Sequence, residues 1–447
     1  MFRRWIRLQD KKTQIFPMNK SQPKNLLFFL SPRFVDFDTY LPIAMELAEA
    51  RPEWRIRFII FHEQNYRAIL ANHTMMAGLE RCGSIHFLGS GDTKGLAKLW
   101  RRLRGFAVVT GWILRHARPV LFLSRPFSRS PYSLFFAFSK LRGGHSHLLW
   151  KHRSPDEILH LVFQTREPPQ PIKISLLSRL FGRDLDTLIH FHDRQEELGG
   201  ISAFGRIHDA PRLRIGLPQY FRSWRRFIGD QIEVERARLA QEGVPRDSEI
   251  YTVFAAKTGS GANIGVPGAS ERSLRTVLVT LCRLRPDATI LIRAHPQAMD
   301  DVHIKEAIEA AESGHVRLTF AHPEVLAELS QRCIATNQTN ILFAGYTGHF
   351  MDCGEYPEFH FRKHGEVSLA HGYGPLYINP LAEDFDSRFA RALADDSLFD
   401  TPELTEKINV LNHNNPPRFE ALLKLLDSVS LPGAQNNWVQ DSASERN

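Results

Sequence analysis

The feature that most limits the fold of this chain is a regular alternation of apolar runs with amphipathic stretches between Glu249 and Gln338. The apolar runs have strand length and end at Gly, Pro or polar clusters, and the stretches between them have helical periodicity. The runs are EIYTVFAAK, ATILIRAHP, HVRLTF and CIATNQ, and the stretches are ERSLRTVLVTLCRLRP, DVHIKEAIEAAESG and PEVLAELSQR. Consecutive βα units of this kind predict a parallel sheet with right-handed crossovers.

The N-terminal half begins with the same rhythm. The runs NLLFFLS, RIRFIIF and SIHFLG predict strands, and LPIAMELAEARPEW, between the first two, predicts a helix. The residues PRFVDFDTY, just before that helix, predict a loop. Further strands are predicted in HSHLLWKHRSP, TLIHFHDR and RLRIG, ahead of a long helix that ends at a Gly-then-Pro stop near Gly243.

Two such rhythms in a chain of 447 residues predict an α/β protein with two Rossmann-like domains that face a cleft. Residues 25–235 would form the N-terminal domain and residues 248–428 the C-terminal domain. Residues 1–24 are expected to be a basic leader, and residues 431–447 a disordered tail.

Composition fits this plan and bears on the cellular compartment. A hydrophobic content of 43% suits a filled interior and argues against a disordered chain. The four cysteines are scattered without metal-type spacing, which predicts buried free thiols in a reducing compartment. No signal peptide and no apolar run of about 20 residues is evident, so we expect a cytoplasmic protein. Peripheral attachment to the inner membrane is an open alternative that rests on the basic segment described next.

The net charge of +8 is concentrated in a basic amphipathic segment, residues 94–130. This segment interleaves leucines and tryptophans with Lys and Arg, and it contains no acidic residue. The pattern is typical of a helix on an anionic bilayer surface. It equally fits a helix with one solvated basic face and one core face. Nucleic-acid binding is not expected, because no nucleic-acid-binding motif accompanies the charge.

Polar and charged residues follow each predicted strand of the C-terminal half. Because parallel strands bring their carboxyl ends to one edge, these residues should converge there, and with a helix N-terminus they would form an anion site. In chain order they are Lys257, Gly259 and Gly261; Arg293, His295 and Pro296; His322; and Thr336, Thr339 and Asn340.

The individual motifs are weak. KTGSG lacks the residue order of a Walker A loop, and GSGANIG is one residue off the dinucleotide fingerprint. A His-Pro pair often does no more than end a strand. For His322 we predict that Pro323 starts a helix. For His295, which has no such helix directly after it, we predict a functional role.

The sequence RAHP followed by HPEVLAELSQRCIATNQTNILFAG resembles the C-terminal half of GT-B glycosyltransferases, above all the polysialyltransferases, capsule Kdo transferases and CDP-glycerol polymerases. The resemblance covers roughly Leu213 to Leu342. It implies a metal-independent transferase for a bacterial capsule or other surface polysaccharide. The C-terminal domain would hold a CMP- or UDP-linked sugar donor, and the N-terminal domain a glycan or glycolipid acceptor. No cofactor is implied.

Residue by residue, the resemblance implies that His295 and Pro296 contact the donor phosphate, together with Thr336, Thr339 and Asn340. The sequence departs from the family pattern in three ways. Asn and Gln replace part of the hydroxyl cluster, the acidic-acidic-Gly motif of the polysialyltransferases is absent, and the ribose-binding Glu has Glu355 as its nearest candidate.

An inverting transferase also needs a general base for the acceptor hydroxyl. Asp36 and Asp38 lie in the predicted loop PRFVDFDTY, where an extended backbone would turn both to one side. We take Asp36 as the candidate base and Asp38 as a helix cap. His190 and His192 share a strand face, but without a third ligand nearby they do not predict a metal site.

Two other functions fit the same scaffold. One is a sugar-nucleotide epimerase, which the predicted strand ends favour less because they are poor in acidic residues. The other is a non-catalytic component of polysaccharide assembly at an anionic membrane surface. The substituted hydroxyl cluster is compatible with that reading.

Overall fold

The run NLLFFLS forms strand β1, Asn25–Phe29, near the middle of a seven-stranded parallel sheet. All five of its side chains are buried, as expected of a strand that helices cover on both faces. The computed structural model describes residues 24–30, 35–91, 93–124, 132–150, 185–190, 211–256, 268–295, 301–336, 349–356, 376–399 and 417–428.

The first sheet has the strand order β3-β2-β1-β4-β5-β6-β7, and every neighbouring pair is parallel. The order reverses between β1 and β4, which is the topological switch point of a doubly wound sheet. The remaining strands are β2 Arg55–Ile60, β3 Ser84–Phe87, β4 Val120–Leu123, β5 His145–Trp150, β6 Thr187–His190 and β7 Arg212–Arg214.

The second sheet repeats this plan with six parallel strands in the order β10-β9-β8-β11-β12-β13. Its switch point lies between β8 and β11. The strands are β8 Ile250–Ala255, β9 Thr289–Arg293, β10 Val316–Thr319, β11 Arg332–Thr336, β12 Phe350–Asp352 and β13 Leu376–Tyr377. The prediction of two Rossmann-like units is therefore confirmed.

Helices cover both sheets. Around the first sheet they are α1 Val35–Ala50, α2 Glu63–Ala71, α3 His73–Cys82, α4 Gly95–Arg115 and α5 Tyr132–Leu141. The long α6, Arg222–Gln241, leads into the second sheet. There follow α7 Ala269–Leu284, α8 Val302–Ala310, α9 Pro323–Leu329, α10 Phe385–Ala394 and α11 Phe419–Ser428.

Two predictions about local structure are wrong. The stretch predicted as a loop before Leu41 is helical from Val35, and α1 contains Pro42 in its interior although proline offers no backbone N–H to the helix. The basic segment 94–130 is not one element, because α4 ends at Arg115 and the buried strand β4 follows at Val120. The four cysteines are buried and unpaired, as predicted.

A continuous apolar core joins the two sheets through α6. Trp224 and Phe227 on that helix are fully buried in a cluster that contains Phe28 of the first sheet and Phe254 and Leu326 of the second unit. Polar contacts fix the start of α6 against α1, where the backbone N–H of Ser223 donates to Glu46 Oε2 at 2.8 Å. A carboxylate in this position is favoured by the helix dipole.

The C-terminal helix α11 returns to the first sheet. The backbone N–H of Arg418 donates to the carbonyl oxygen of Ile215 at 2.8 Å, and Phe419 packs edge-on against Phe221 at 5.6 Å between ring centroids. Arg51 of the first unit pairs with Asp427 at 2.6 Å. Within the described residues, the chain therefore passes from the first sheet to the second at α6, and α11 packs against the first sheet again.

Candidate active site at the facing strand ends

One residue of the predicted anion site, Thr336, lies at the second switch point, where β8 and β11 lie side by side. Thr336 ends β11; it is fully buried, and its hydroxyl donates to the carbonyl oxygen of Phe254 at 3.3 Å. That bond ties the two switch-point strands together at their carboxyl ends. Six other predicted residues of this edge lie outside the described part of the chain: Lys257, Gly259, Gly261, Pro296, Thr339 and Asn340.

Arg293 is the last residue of β9 and is buried beneath this edge. Its Nε donates to the carbonyl oxygen of Ala321 at 2.9 Å, and its Nη1 donates to the carbonyl oxygen of Ala294. Burial lowers the pKa of Arg293 to about 10, against the attraction of Asp38, which raises it. The guanidinium thus fastens the end of β9 to the segment in front of α9.

His295 lies two residues beyond β9 and is half-buried. Because β9 is the strand next to β8 in the sheet order, His295 lies at the carboxyl edge beside the switch point. Its predicted role with a donor phosphate remains a prediction.

His322 is the N-cap of α9, which confirms that Pro323 starts a helix. Its Nδ1 accepts the backbone N–H of Glu324 at 3.2 Å. Because Nδ1 accepts, the ring hydrogen is on Nε2, and Nε2 donates to Asp38 Oδ1 at 3.3 Å. An imidazole that caps a helix through Nδ1 still has an N–H group at Nε2 to donate, whereas a Ser or Asp cap has no N–H group in its side chain. Sequence reasoning identified the cap and missed the second contact.

Asp38 is in the first turns of α1, directly after the carboxyl end of β1, and its side chain is 21% exposed. The prediction that Asp38 caps this helix is wrong, because the helix begins at Val35. Asp36 is also helical, and its side chain lies outside the described structure. The contact of Asp38 with His322 joins the carboxyl edge of the first sheet to that of the second.

Glu324 and Trp224 complete this junction. Trp224 Nε1 donates to Glu324 Oε2 at 2.7 Å, and the Trp224 ring packs edge-on against His322 with centroids 5.3 Å apart. Burial raises the pKa of Glu324 to about 7, against the electrostatic influence of His322 and the Trp224 hydrogen bond, which lower it. Helix α6 therefore fixes the start of α9 through Trp224, and α9 fixes Asp38 through His322.

Glu355, the candidate ribose ligand, lies beyond β12 and is buried. Its carboxylate accepts two bonds from Arg272, from Nε at 2.9 Å and from Nη2 at 2.5 Å. Its backbone N–H donates to Ser273 Oγ at 3.1 Å. A bidentate pair of this kind fixes the first turn of α7, the helix that follows the Gly-rich loop.

Within the described residues, no three His, Cys, Asp or Glu side chains are grouped so that they could hold a metal ion. His190 is buried at the end of β6, and His192 lies outside the described residues. None of the described helices is both long enough and apolar enough to cross a bilayer.

Two parallel α/β sheets with facing carboxyl ends, joined by a crossover helix and a returning C-terminal helix, make up the GT-B fold. No protein-family model and no curated protein matches the chain. Solved structures do match. UDP-GlcNAc 2-epimerase from Neisseria meningitidis, bound to UDP-GlcNAc, matches with a TM-score of 0.51 at 11% identity, over 90% of this chain and 98% of that one.

Phytolacca americana UGT2, complexed with UDP-2fluoro-glucose and pterostilbene, matches with a TM-score of 0.50 at 12% identity, over 91% of this chain and all of the other. The wall teichoic acid polymerase TagF has a TM-score of 0.47 at 14% identity, over 92% of this chain and 88% of its own. At such identities the likeness shows the two-domain fold alone.

Proposed function

We propose that this chain is a glycosyltransferase that moves a sugar from a CMP- or UDP-linked donor to a glycan or glycolipid acceptor, without a metal ion, in the synthesis of a bacterial capsule or other surface polysaccharide. The observation that carries the proposal is the Asp38–His322 contact, which brings the carboxyl ends of the two sheets together. Ligands of open parallel sheets bind at those ends, so donor and acceptor would meet there.

The second domain would take the donor. In this reaction the nucleotide phosphate leaves, so the protein must neutralise negative charge that develops on it. His295, at the end of β9, and the N-terminus of α7 are suited to that task. The other phosphate contacts that we propose are Lys257, Gly259, Gly261, Arg293, Pro296, Thr336, Thr339 and Asn340. Glu355, held by Arg272, would face the ribose.

The first domain would supply the base. Asp36 and Asp38 both lie at the start of α1, beyond the carboxyl end of the β1 strand. Asp36 stays a candidate base. Asp38 is also a candidate, because His322 fixes one of its oxygens and, among the described residues, leaves the other to accept a proton from an acceptor hydroxyl. His322 would then be a positioning residue that acts through Asp38.

A thermal-shift series with CMP, CDP and UDP tests the donor site. We expect one of the three nucleotides to raise the melting temperature, and we expect His295→Ala to abolish that rise. His315→Ala is the matched control, since His315 is an exposed histidine near the amino end of β10, away from the proposed site. The absence of any shift with a folded protein would refute a nucleotide-sugar enzyme. A shift that survives in His295→Ala would refute the site assignment.

A sugar-nucleotide epimerase on the same two-domain scaffold is the second candidate, and the UDP-GlcNAc 2-epimerase from Neisseria meningitidis is an example of that activity on this fold. Incubation with UDP-GlcNAc in D2O separates the two functions. Deuterium incorporation into the sugar of the nucleotide would support epimerisation, and release of UDP that depends on an acceptor glycan would support transfer. A folded protein without nucleotide binding would instead support a non-catalytic role in polysaccharide assembly at the membrane.

A further inference from the structure

The first half of α4 presents an apolar stripe to solvent. Every residue from Gly95 to Arg104 is exposed, including large apolar side chains such as Leu96, at 85%, and Trp100, at 71%. Leu96, Leu99, Trp100 and Leu103 have the three-, four- and seven-residue spacing that places them on one side of a helix. Leu114 continues the exposed stripe near the end of the helix.

This stripe is on the outer side of α4. The helix contacts its own domain through Gly105, Val109 and Ile113, which are its buried residues. Gly105 lies two residues beyond Leu103, and residues two apart on a helix point in roughly opposite directions. A helix that only covers its domain would turn the leucines inward. The alternative in which these leucines face the core of their own domain is therefore wrong.

The stripe is flanked by positive charge. Lys94, Lys98, Arg101, Arg102 and Arg104 surround it, and no Asp or Glu occurs between Thr93 and Ser130. A second copy of the chain would bring a like set of cations against these, and the Coulomb repulsion opposes such a dimer. Nucleic acid would pair with the cations but would leave the leucines in water.

We propose that the N-terminal half of α4, Gly95–Arg104, is a docking surface for an anionic bilayer. The leucines and Trp100 would enter the region between head groups and acyl chains, while the Lys and Arg side chains reach back to lipid phosphates. The stability of a helical segment of this length is marginal in water when it packs against nothing, and a bilayer would supply the missing apolar contact.

The position of the docking surface Gly95–Arg104 in the fold bears on its function. Helix α4 follows β3, so its N-terminus lies at the carboxyl edge of the first sheet, the edge that also carries Asp38. If the transferase proposal holds, docking through α4 would place the acceptor side of the cleft beside the lipid surface. The acceptor would then be a lipid-linked glycan.

Co-sedimentation of the full chain with vesicles tests the docking surface without any need for enzymatic activity. We expect binding to phosphatidylcholine vesicles that contain phosphatidylglycerol, weaker binding to pure phosphatidylcholine, and a blue shift of tryptophan emission that is lost in Trp100→Phe. Loss of Lys98 and Arg102 together, each changed to Gln, should weaken binding about 25-fold, at roughly fivefold for each cation near the surface. The control removes equal charge elsewhere, by Arg246→Gln with Lys305→Gln.

The apolar part has its own test. Leu96→Ser with Leu103→Ser should reduce binding at least tenfold, and Leu381→Ser, at an exposed leucine of the second unit with 54% exposure, should not. No sedimentation with anionic vesicles overturns the proposal. Leucine variants that bind like the parent also overturn it, and so does equal binding to polyuridylate. Leucine variants that abolish dimers in solution while vesicle binding persists would assign the stripe to self-association.

Discussion

Glu324→Gln is expected to make the protein more stable at pH 8 than the parent, and equally stable near pH 4.5. The carboxyl of Glu324 is buried at the junction of α6, α9 and α1, where it accepts the Trp224 hydrogen bond. Burial raises its pKa from 4.5 to about 7. His322, Arg225 and Asp38 are the charged or titratable groups that act on it.

The direction of the pH effect on stability depends on whether Glu324 loses its proton first in the folded or in the unfolded chain. Below pH 4.5 the carboxyl is protonated in both the folded and the unfolded chain, so it contributes no pH dependence. Between pH 4.5 and 7 the unfolded chain releases the proton and the folded chain keeps it, so stability falls as the pH rises. A change in pKa from 4.5 to about 7 corresponds to about 3 kcal/mol lost by pH 8.

Gln cannot ionise, and its side-chain oxygen can still accept the Trp224 hydrogen bond. Calorimetric melting of parent and variant at pH 5, 6, 7 and 8 measures the effect, and the two melting curves should separate progressively as the pH rises. Glu328→Gln is the control on the same helix, because Glu328 forms a surface pair with Arg225 at 3.3 Å, and such pairs contribute at most about 1 kcal/mol. A parent and variant that keep a constant offset across this pH range would refute a buried, protonated Glu324.

Three further outcomes can be checked. Gly105→Ala should lower the free energy of unfolding by about 1–3 kcal/mol, because the added Cβ would meet a backbone carbonyl oxygen at 2.7 Å. Gly111→Ala, with nothing within 4 Å of its Cβ, should raise it by about 0.5–1 kcal/mol, and thermal melts with the opposite order would contradict the packing of α4. In a transfer assay, His322→Phe should lower kcat without changing KM for the nucleotide sugar, because the variant loses the N–H group that hydrogen-bonds to Asp38. His322→Gln should recover part of kcat, because its amide N–H can make that bond. Equal losses in both variants would assign His322 to folding alone.

The sequence predicts the strands well because their signal is local. Uninterrupted apolar runs such as Leu26–Phe29 must be covered on both faces, and their alternation with helical stretches predicts two parallel sheets. His322 was predictable as a helix start for a similar reason, since Pro323 needs no hydrogen-bond partner in the first turn. Each inference needs only neighbours along the chain.

The remaining features depend on contacts that no local pattern encodes. Asp38 and His322 are 284 residues apart, and their contact exists only because two sheets face each other. Periodicity correctly gives α4 an apolar side, but it does not tell whether that side meets the core or the solvent. The residues before Leu41 predict a loop, whereas α1 begins at Val35 and contains Pro42 in its interior.

The four buried thiols give the chain a set of internal labels for the independent opening of its halves. Cys82 belongs to α3 of the first unit, and Cys282, Cys333 and Cys353 belong to the second. Burial raises the pKa of each thiol, to about 12 for Cys333, so alkylating reagents meet little thiolate while the structure is closed. Peptide masses after timed alkylation therefore count openings of each unit separately, without any introduced probe.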